Sequence, residues 1–119
     1  MTKTHRLTRK DIALILFLAP ISVSRLFKSD PTFPPLEKIG RSIFIDSDKF
    51  YQWLSIKAGE TITPADKLMK SKHLEEHYSK SHTWIWLHIK AGNLPKPFKI
   101  NRSNYWIERM ILNDVEEVA

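Results

Sequence analysis

The chain of 119 residues contains no cysteine. That excludes a disulfide framework, a thiolate metal site and a thiol nucleophile. It also lacks an apolar run long enough to cross a bilayer, because the apolar stretch at residues 12–21 falls well short of about 20 residues. A positive start at Lys3, Arg6, Arg9 and Lys10 resembles the head of an export signal. However, Asp11 abuts the apolar stretch, Pro20 interrupts its end and no A-x-A-like cleavage site follows. There is no polybasic tail either. The net charge of +6 is shared as +4 over residues 1–60 and +2 over residues 61–119.

What is present describes a folded chain. A hydrophobic fraction of 42% and a charged fraction of 27% are those of a packed protein and not of a disordered one. Four Trp, six Phe and three Tyr can anchor one ordinary domain or two small ones. The basic balance favours a polyanionic partner such as nucleic acid. Thr8-Arg9-Lys10-Asp11 is a capping pattern ahead of an apolar run, which predicts a soluble helix through about Leu18, ended by Pro20.

The chain echoes itself. FPPLEKIGRSIFI (33–45) aligns without gaps with LPKPFKINRSNYW (94–106), pairing Pro34 with Pro95, Lys38-Ile39 with Lys99-Ile100, and Arg41-Ser42 with Arg102-Ser103. Helical patterns lie upstream and downstream of each copy. The predicted order in each half is therefore helix, helix, Pro-containing turn, short β-hairpin, helix. A shorter echo, WLSIKAG (53–59) against WLHIKAG (86–92), reads as two helices closing alike on Gly59 and Gly92. In the second half Leu74, Ile85 and Ile89 are expected to share a core, and Ser79-Lys80-Ser81 to form a tight turn with Ser81 as N-cap. Two short helices so joined are the helix-turn-helix shape, whose second helix enters a major groove. The hairpin that follows would be a wing with Arg41 and Arg102 at equivalent tips.

These residues carry a resemblance. Lys80-Ser81-His82-Thr83, Ile89-Lys90-Ala91-Gly92, Leu94-Pro95-Lys96-Pro97, Lys99-Ile100, Arg102-Ser103 and Trp106 resemble the AlpA/excisionase-like group of small winged helix-turn-helix proteins, over Met69 to about Glu117. Leu7 to Leu54 resembles the group more weakly. It has Asp30-Pro31-Thr32 where the helix-ending Gly would stand, so a shorter second helix is expected there. The resemblance implies DNA binding by transcription regulators or recombination directionality factors of phages and mobile elements. It also assigns residues 12–18 to the first-helix position, equivalent to residues 72–78, and their apolar character suggests burial on more than one side.

Other chemistries compete for particular residues. His73-Leu74-Glu75-Glu76-His77 has the H-x-x-E-H spacing of a zinc helix, though its unspecific length favours an exposed helical face. Trp84 and Trp86 could stack on unpaired bases, but packing against the wing is the commoner use. His82 and His88 could make binding pH-sensitive, though surface histidines are more often passive. The DVEEV segment (114–118) would continue the last helix with its acids in water.

The resulting expectation is a cytoplasmic α+β protein of two tandem winged helix-turn-helix units at residues 1–56 and 68–119, joined by a linker at 57–67. Thr63, Pro64 and Asp66 in that linker read as a helix start that would stiffen the connection. The protein would bind double-stranded DNA without a catalytic group, metal or cofactor and without a membrane. The first unit would present Ser22, Ser24, Arg25 and Lys28, with Arg25 the best candidate for a bidentate guanine contact. The second would present Ser81, His82, Thr83, Trp86 and Lys90, while Lys38, Arg41, Lys99 and Arg102 grip phosphates. One monomer would suffice for two contacts on one duplex, with an integrase (recombinase) or RNA polymerase as protein partner. The alternative is a protein-only adaptor.

Overall fold

The first helix starts where the capping pattern predicts. In a computed structural model of the chain, described over residues 6–111, the Thr8 hydroxyl accepts from the Asp11 N–H at 3.1 Å. The Asp11 carboxylate accepts in return from the Thr8 N–H at 2.9 Å. This reciprocal cap satisfies two donors that the helix cannot, a contribution of about 1 kcal/mol. Thr8 also closes a short strand, β1 (Arg6–Thr8), before α1 (Arg9–Leu16). The helix stops at Leu16 and not at Leu18. Phe17 turns left-handed (φ 54°), and Pro20 does not end α1 but opens α2 (Pro20–Ser29) at its first turn.

The chain is mixed α+β and divides into two units, Met1–Thr63 and Pro64–Ala119. In the first, α2 is followed by β2 (Leu36–Ile39), β3 (Ser42–Asp46) and α3 (Ser47–Ala58). The strands form an antiparallel sheet in the order β1-β3-β2. The second unit has β4 (Leu68–Met69), α4 (Ser71–Tyr78), α5 (His82–Lys90), β5 (Phe98–Ile100) and β6 (Ser103–Ile107). A sixth helix, α6, begins at Glu108, and the sheet order is β4-β6-β5. The repeat predicted from the hairpins is thus a repeat of topology, with one addition. Each unit opens with a short strand that completes its sheet. Strands of two or three residues leave no periodic signal, so sequence patterning passes over them.

The hairpins correspond in the predicted register. Ile39 pairs with Ser42 and Ile100 with Ser103, and the first loop residue is left-handed in both, Gly40 at φ 63° and Asn101 at φ 55°. The helices correspond one residue further along. The left-handed Phe17 answers Ser79, and Leu18 N–H to Ala13 C=O (2.9 Å) answers Lys80 N–H to Glu75 C=O (3.1 Å). So α1 answers α4 end to end, in place of the expected match of residues 12–18 with 72–78. One residue is lost between α5 and its hairpin. Gly59 (φ 67°) and Gly92 (φ 82°) both close helices, as the shorter echo predicts, although one follows α3 and the other α5.

The core of unit 1 receives Ile12 and Leu16 from α1, Val23 and Leu26 from α2, Ile45 from β3, and Phe50 and Leu54 from α3. All seven are fully buried, each worth roughly 1.5–3 kcal/mol of apolar burial. Leu14 is 67% exposed, so α1 has a single buried face in place of the expected burial on more than one side. In unit 2, Leu74, Ile85 and Ile89 do share a core, joined by Met69, Leu94, Trp106 and Ile111. Burial pushes the Tyr105 phenol up to about 12, against an opposing hydrogen bond with Ser103, so it stays neutral and serves packing.

α2 is not shortened by the missing glycine. It runs ten residues against nine for α5. Asp30 ends it by a different device. Its carboxylate accepts from the Thr32 N–H at 2.9 Å and from the Thr32 hydroxyl, and pairs with Lys57 Nζ at 2.9 Å. Trp53 Nε1 in turn donates to Thr32 Oγ1 at 3.2 Å, which ties the end of α2 to α3. Burial pushes the Asp30 carboxyl up, but the Thr32 bonds and Lys57 outweigh it and hold the pKa below its ordinary value.

The expected linker at 57–67 is mostly built into the units. Lys57 lies in α3, Ile62 is buried, and the Ile62 N–H donates to Ser55 Oγ at 2.8 Å. On the other side, Lys67 C=O accepts from the Glu108 N–H at 2.8 Å, and Asp66 pairs with Arg109 at 3.0 Å. No helix starts at Pro64. Residues 64–65 form a turn, because Leu68 and Met69 gain more by pairing with Ile107 and Trp106 and becoming buried. The DVEEV segment lies outside the described residues.

Two stability outcomes follow from these contacts. Leu16→Asp should unfold unit 1, because an unpaired carboxylate at a fully buried position costs several kcal/mol; loss of cooperative urea unfolding of the full chain would report it. Asp30→Ala should cost about 2 kcal/mol, the range for hydrogen bonds to a charged group with one partly exposed partner. Because the folded pKa is depressed, this contribution is complete above the ordinary carboxylate value of 3.8 and disappears as pH falls through the folded value. Wild type and Asp30→Ala should therefore differ in urea midpoint at pH 7 and converge as the pH falls through the depressed folded value.

Candidate nucleic-acid interface

The candidate interface comprises the second helix and the hairpin of each unit, taken separately. Neither second helix contains an acidic residue: α2 reads PISVSRLFKS and α5 reads HTWIWLHIK. In α2, Val23 and Leu26 turn inward, which leaves Ile21, Arg25 and Lys28 exposed at i, i+4 and i+7 on one face. In α5, Ile85 and Ile89 turn inward and leave Thr83, Leu87 and Lys90 at the same spacing from the left-handed residue. The stripes therefore correspond as Ile21 with Thr83, Arg25 with Leu87 and Lys28 with Lys90.

The expected contact residues divide on this geometry. Arg25, Lys28, Thr83 and Lys90 lie on the outer stripes. Ser22 is half-buried beside the stripe of α2. Ser24 is occupied: its hydroxyl accepts from Arg9 Nη1 at 3.0 Å and donates to the Pro20 carbonyl at 3.3 Å. Ser81 is the N-cap of α5, accepting from the Trp84 N–H at 3.2 Å. His82 is exposed beside it, with Nδ1 at 3.8 Å from Glu75. Trp86 leaves the stripe. It is half-buried, with its ring 6.1 Å from Trp106 of β6 and 5.9 Å from His82, and its buried Nε1 has no hydrogen-bond partner among the described residues. Trp84 leans the other way, toward Tyr78 at 5.7 Å and His88 at 4.0 Å. Two residues apart on a helix, the indoles cannot share a face, and each covers a different side of the core.

The hairpin cations are exposed in both units. Lys38 stands on β2 and Lys99 on β5, while Arg41 and Arg102 occupy the second position of their two-residue loops. Among the described residues, none of Arg25, Lys28, Lys38, Arg41, Lys90, Lys99 and Arg102 takes part in an ion pair. Their charge is available to a partner.

Sequence reading missed two features. First, Arg9 and Lys10, read as the head of an apolar segment, join Arg41 around an open cleft that Pro20, Ile43 and Phe44 also line and whose lining contains no acid. The strand β1 brings them there by pairing with β3 (Thr8 opposite Phe44), a pairing invisible in the local pattern. Second, Leu87 and Ile21 are on the outer stripes, where helical periodicity counted from the left-handed residue would have put them.

The competing chemistries find less support in the geometry. His73 Nδ1 accepts from the Lys70 N–H at 2.9 Å, capping α4, and among the described residues no three metal-ligating side chains converge. His88 is packed on Trp84 and bonded through Nδ1 to Asn93 at 3.1 Å. Among the described residues no single helix is long and apolar enough to cross a membrane. The α1–α2 pair is bent by 97°, burying Ile12, Leu16, Val23 and Leu26 in the unit while Leu14 and Ile21 stay exposed. No protein-family model, curated protein or solved structure matches the chain.

Proposed function

We propose that the chain binds double-stranded DNA through two winged helix-turn-helix units, as a recombination directionality factor or transcription regulator of the AlpA/excisionase-like kind. One repeated observation carries this reading. In both units an acid-free second helix exposes a lysine on its outer stripe, and the two-residue hairpin loop carries an exposed arginine. A helix of that kind fits a major groove, and a cationic hairpin beside it fits the flanking phosphates. The cleft of Arg9, Lys10 and Arg41 would extend the phosphate contact in unit 1. An integrase or RNA polymerase would be the protein partner, and the cytoplasm the compartment.

A protein-only adaptor is the second reading. It is favoured by Leu14 and Phe17, 67% and 44% exposed at the α1–α2 turn of unit 1. Duplex binding separates the two, since an adaptor would hold DNA neither tightly nor in proportion to salt.

Fluorescence anisotropy of the full chain on duplex DNA, repeated across about 50–200 mM salt, tests the proposal. Arg41→Ala and Arg102→Ala should each weaken binding to specific and random duplexes alike and lower the log–log salt slope by about 1. Unchanged slopes in both would remove the hairpin tips from the interface. Arg25→Ala should instead cost roughly 1–3 kcal/mol at one base pair and relax the preference there. A uniform loss over all sequences would make Arg25 a phosphate contact.

A further inference from the structure

Each second helix turns one large aliphatic side chain to solvent. Leu87 is 60% exposed and Ile21 62%, although Ile85, Ile89, Val23 and Leu26 on the same helices are 5% exposed or less. The inner faces are therefore already filled, and neither side chain is a core residue left over. Their surroundings are specific. Leu87 stands one turn after Thr83 and about one turn before Lys90, while Ile21 stands one turn before Arg25 on the stripe that ends at Lys28. Neither helix contributes an acid.

A partner for such a stripe must offer an apolar group in the middle and negative charge at the edge. The major groove of DNA offers both at that spacing. The C5-methyl of thymine is the apolar group there that an aliphatic side chain can cover, and the phosphates line the rim. We infer that Leu87 and Ile21 are specificity-determining residues, each reading a thymine methyl, with Arg25 taking a neighbouring guanine in unit 1. This rests on the DNA-binding reading above and adds the base that each unit selects. It also explains how unit 2 reads sequence with Leu87 where unit 1 has Arg25: it reads a methyl in place of a bidentate purine edge.

Deoxyuridine pairs as thymine does and lacks only the methyl, so it tests the inference on the full chain. Duplexes retained from a random pool are resynthesised with each thymine replaced in turn by deoxyuridine, and affinities are compared at fixed salt. Replacement at one position in each half-site should weaken wild-type binding about fourfold, the effect of burying one methyl group. Leu87→Ala should abolish the penalty at one of these positions and Ile21→Ala at the other, with the salt slope of each variant unchanged. Both positions are solvent-exposed, and unaltered urea midpoints would show that the variants fold. If no thymine is sensitive, as when a protein partner covers the stripe, or if the penalties persist in the variants, the inference falls while DNA binding stands. If no duplex is retained with salt-dependent affinity, the DNA-binding reading falls and the inference with it.

Discussion

The geometry of each unit depends on one residue held in the left-handed region. Phe17 and Ser79 share the same backbone conformation, φ 54° with ψ 46° and 44°, at the junction of the two short helices. A non-glycine residue there costs about 1–3 kcal/mol. It is held because the turn closes the carbonyls of the preceding helix and lets both helices bury one face. Leu16 and Val23 on either side of Phe17, and Leu74 and Ile85 on either side of Ser79, are all fully buried. A straight continuation would leave one of each pair in water. The bend therefore sets which faces of α2 and α5 look outward, and the candidate interface inherits its composition from it.

The two units solve the same packing problem with different chemistry. Unit 1 stops α2 with a buried carboxylate that draws on Thr32, Lys57 and, through Thr32, Trp53. Unit 2 stops α5 with Gly92 at φ 82°. The glycine meets a conformational need locally, whereas Asp30 needs partners that arrive from α3. Their surfaces differ as well. Among the described residues, unit 1 exposes Leu14, Phe17, Ile21, Leu36, Ile39 and Ile56, while Leu87 is the large aliphatic exposed in unit 2. Over the described residues, the surface of the first unit is thus the more apolar of the two.

Much of this was legible in the sequence. The Thr8 cap, the closure of two helices on Gly59 and Gly92, the hairpins with Arg41 and Arg102 at their loops, and the shared burial of Leu74, Ile85 and Ile89 all follow from local rules. Each is a contest among residues a few positions apart, decided by hydrogen-bond geometry or helical period. The mixed α+β class followed from the same signals. The candidate stripes were half legible: Arg25, Lys28, Thr83 and Lys90 were found from charge and polarity, but a search for polar readers passes over Leu87 and Ile21.

Tertiary structure decided what depends on distant partners. The strands β1 and β4 exist because β3 and β6 present open edges to them, and that pairing overrides the helix-start signal at Thr63 and Pro64. The end of α2 was set by Lys57 and Trp53, far along the chain, and not by the absence of a glycine. Trp86 was drawn off the outer stripe by Trp106, since a large ring gains more from burial against another than from exposure to water. Arg9 and Lys10 joined Arg41 because a three-residue strand aligned them. Local sequence determined where the elements begin and turn; the burial of apolar faces and the pairing of strand edges determined which side chains were left to meet a partner.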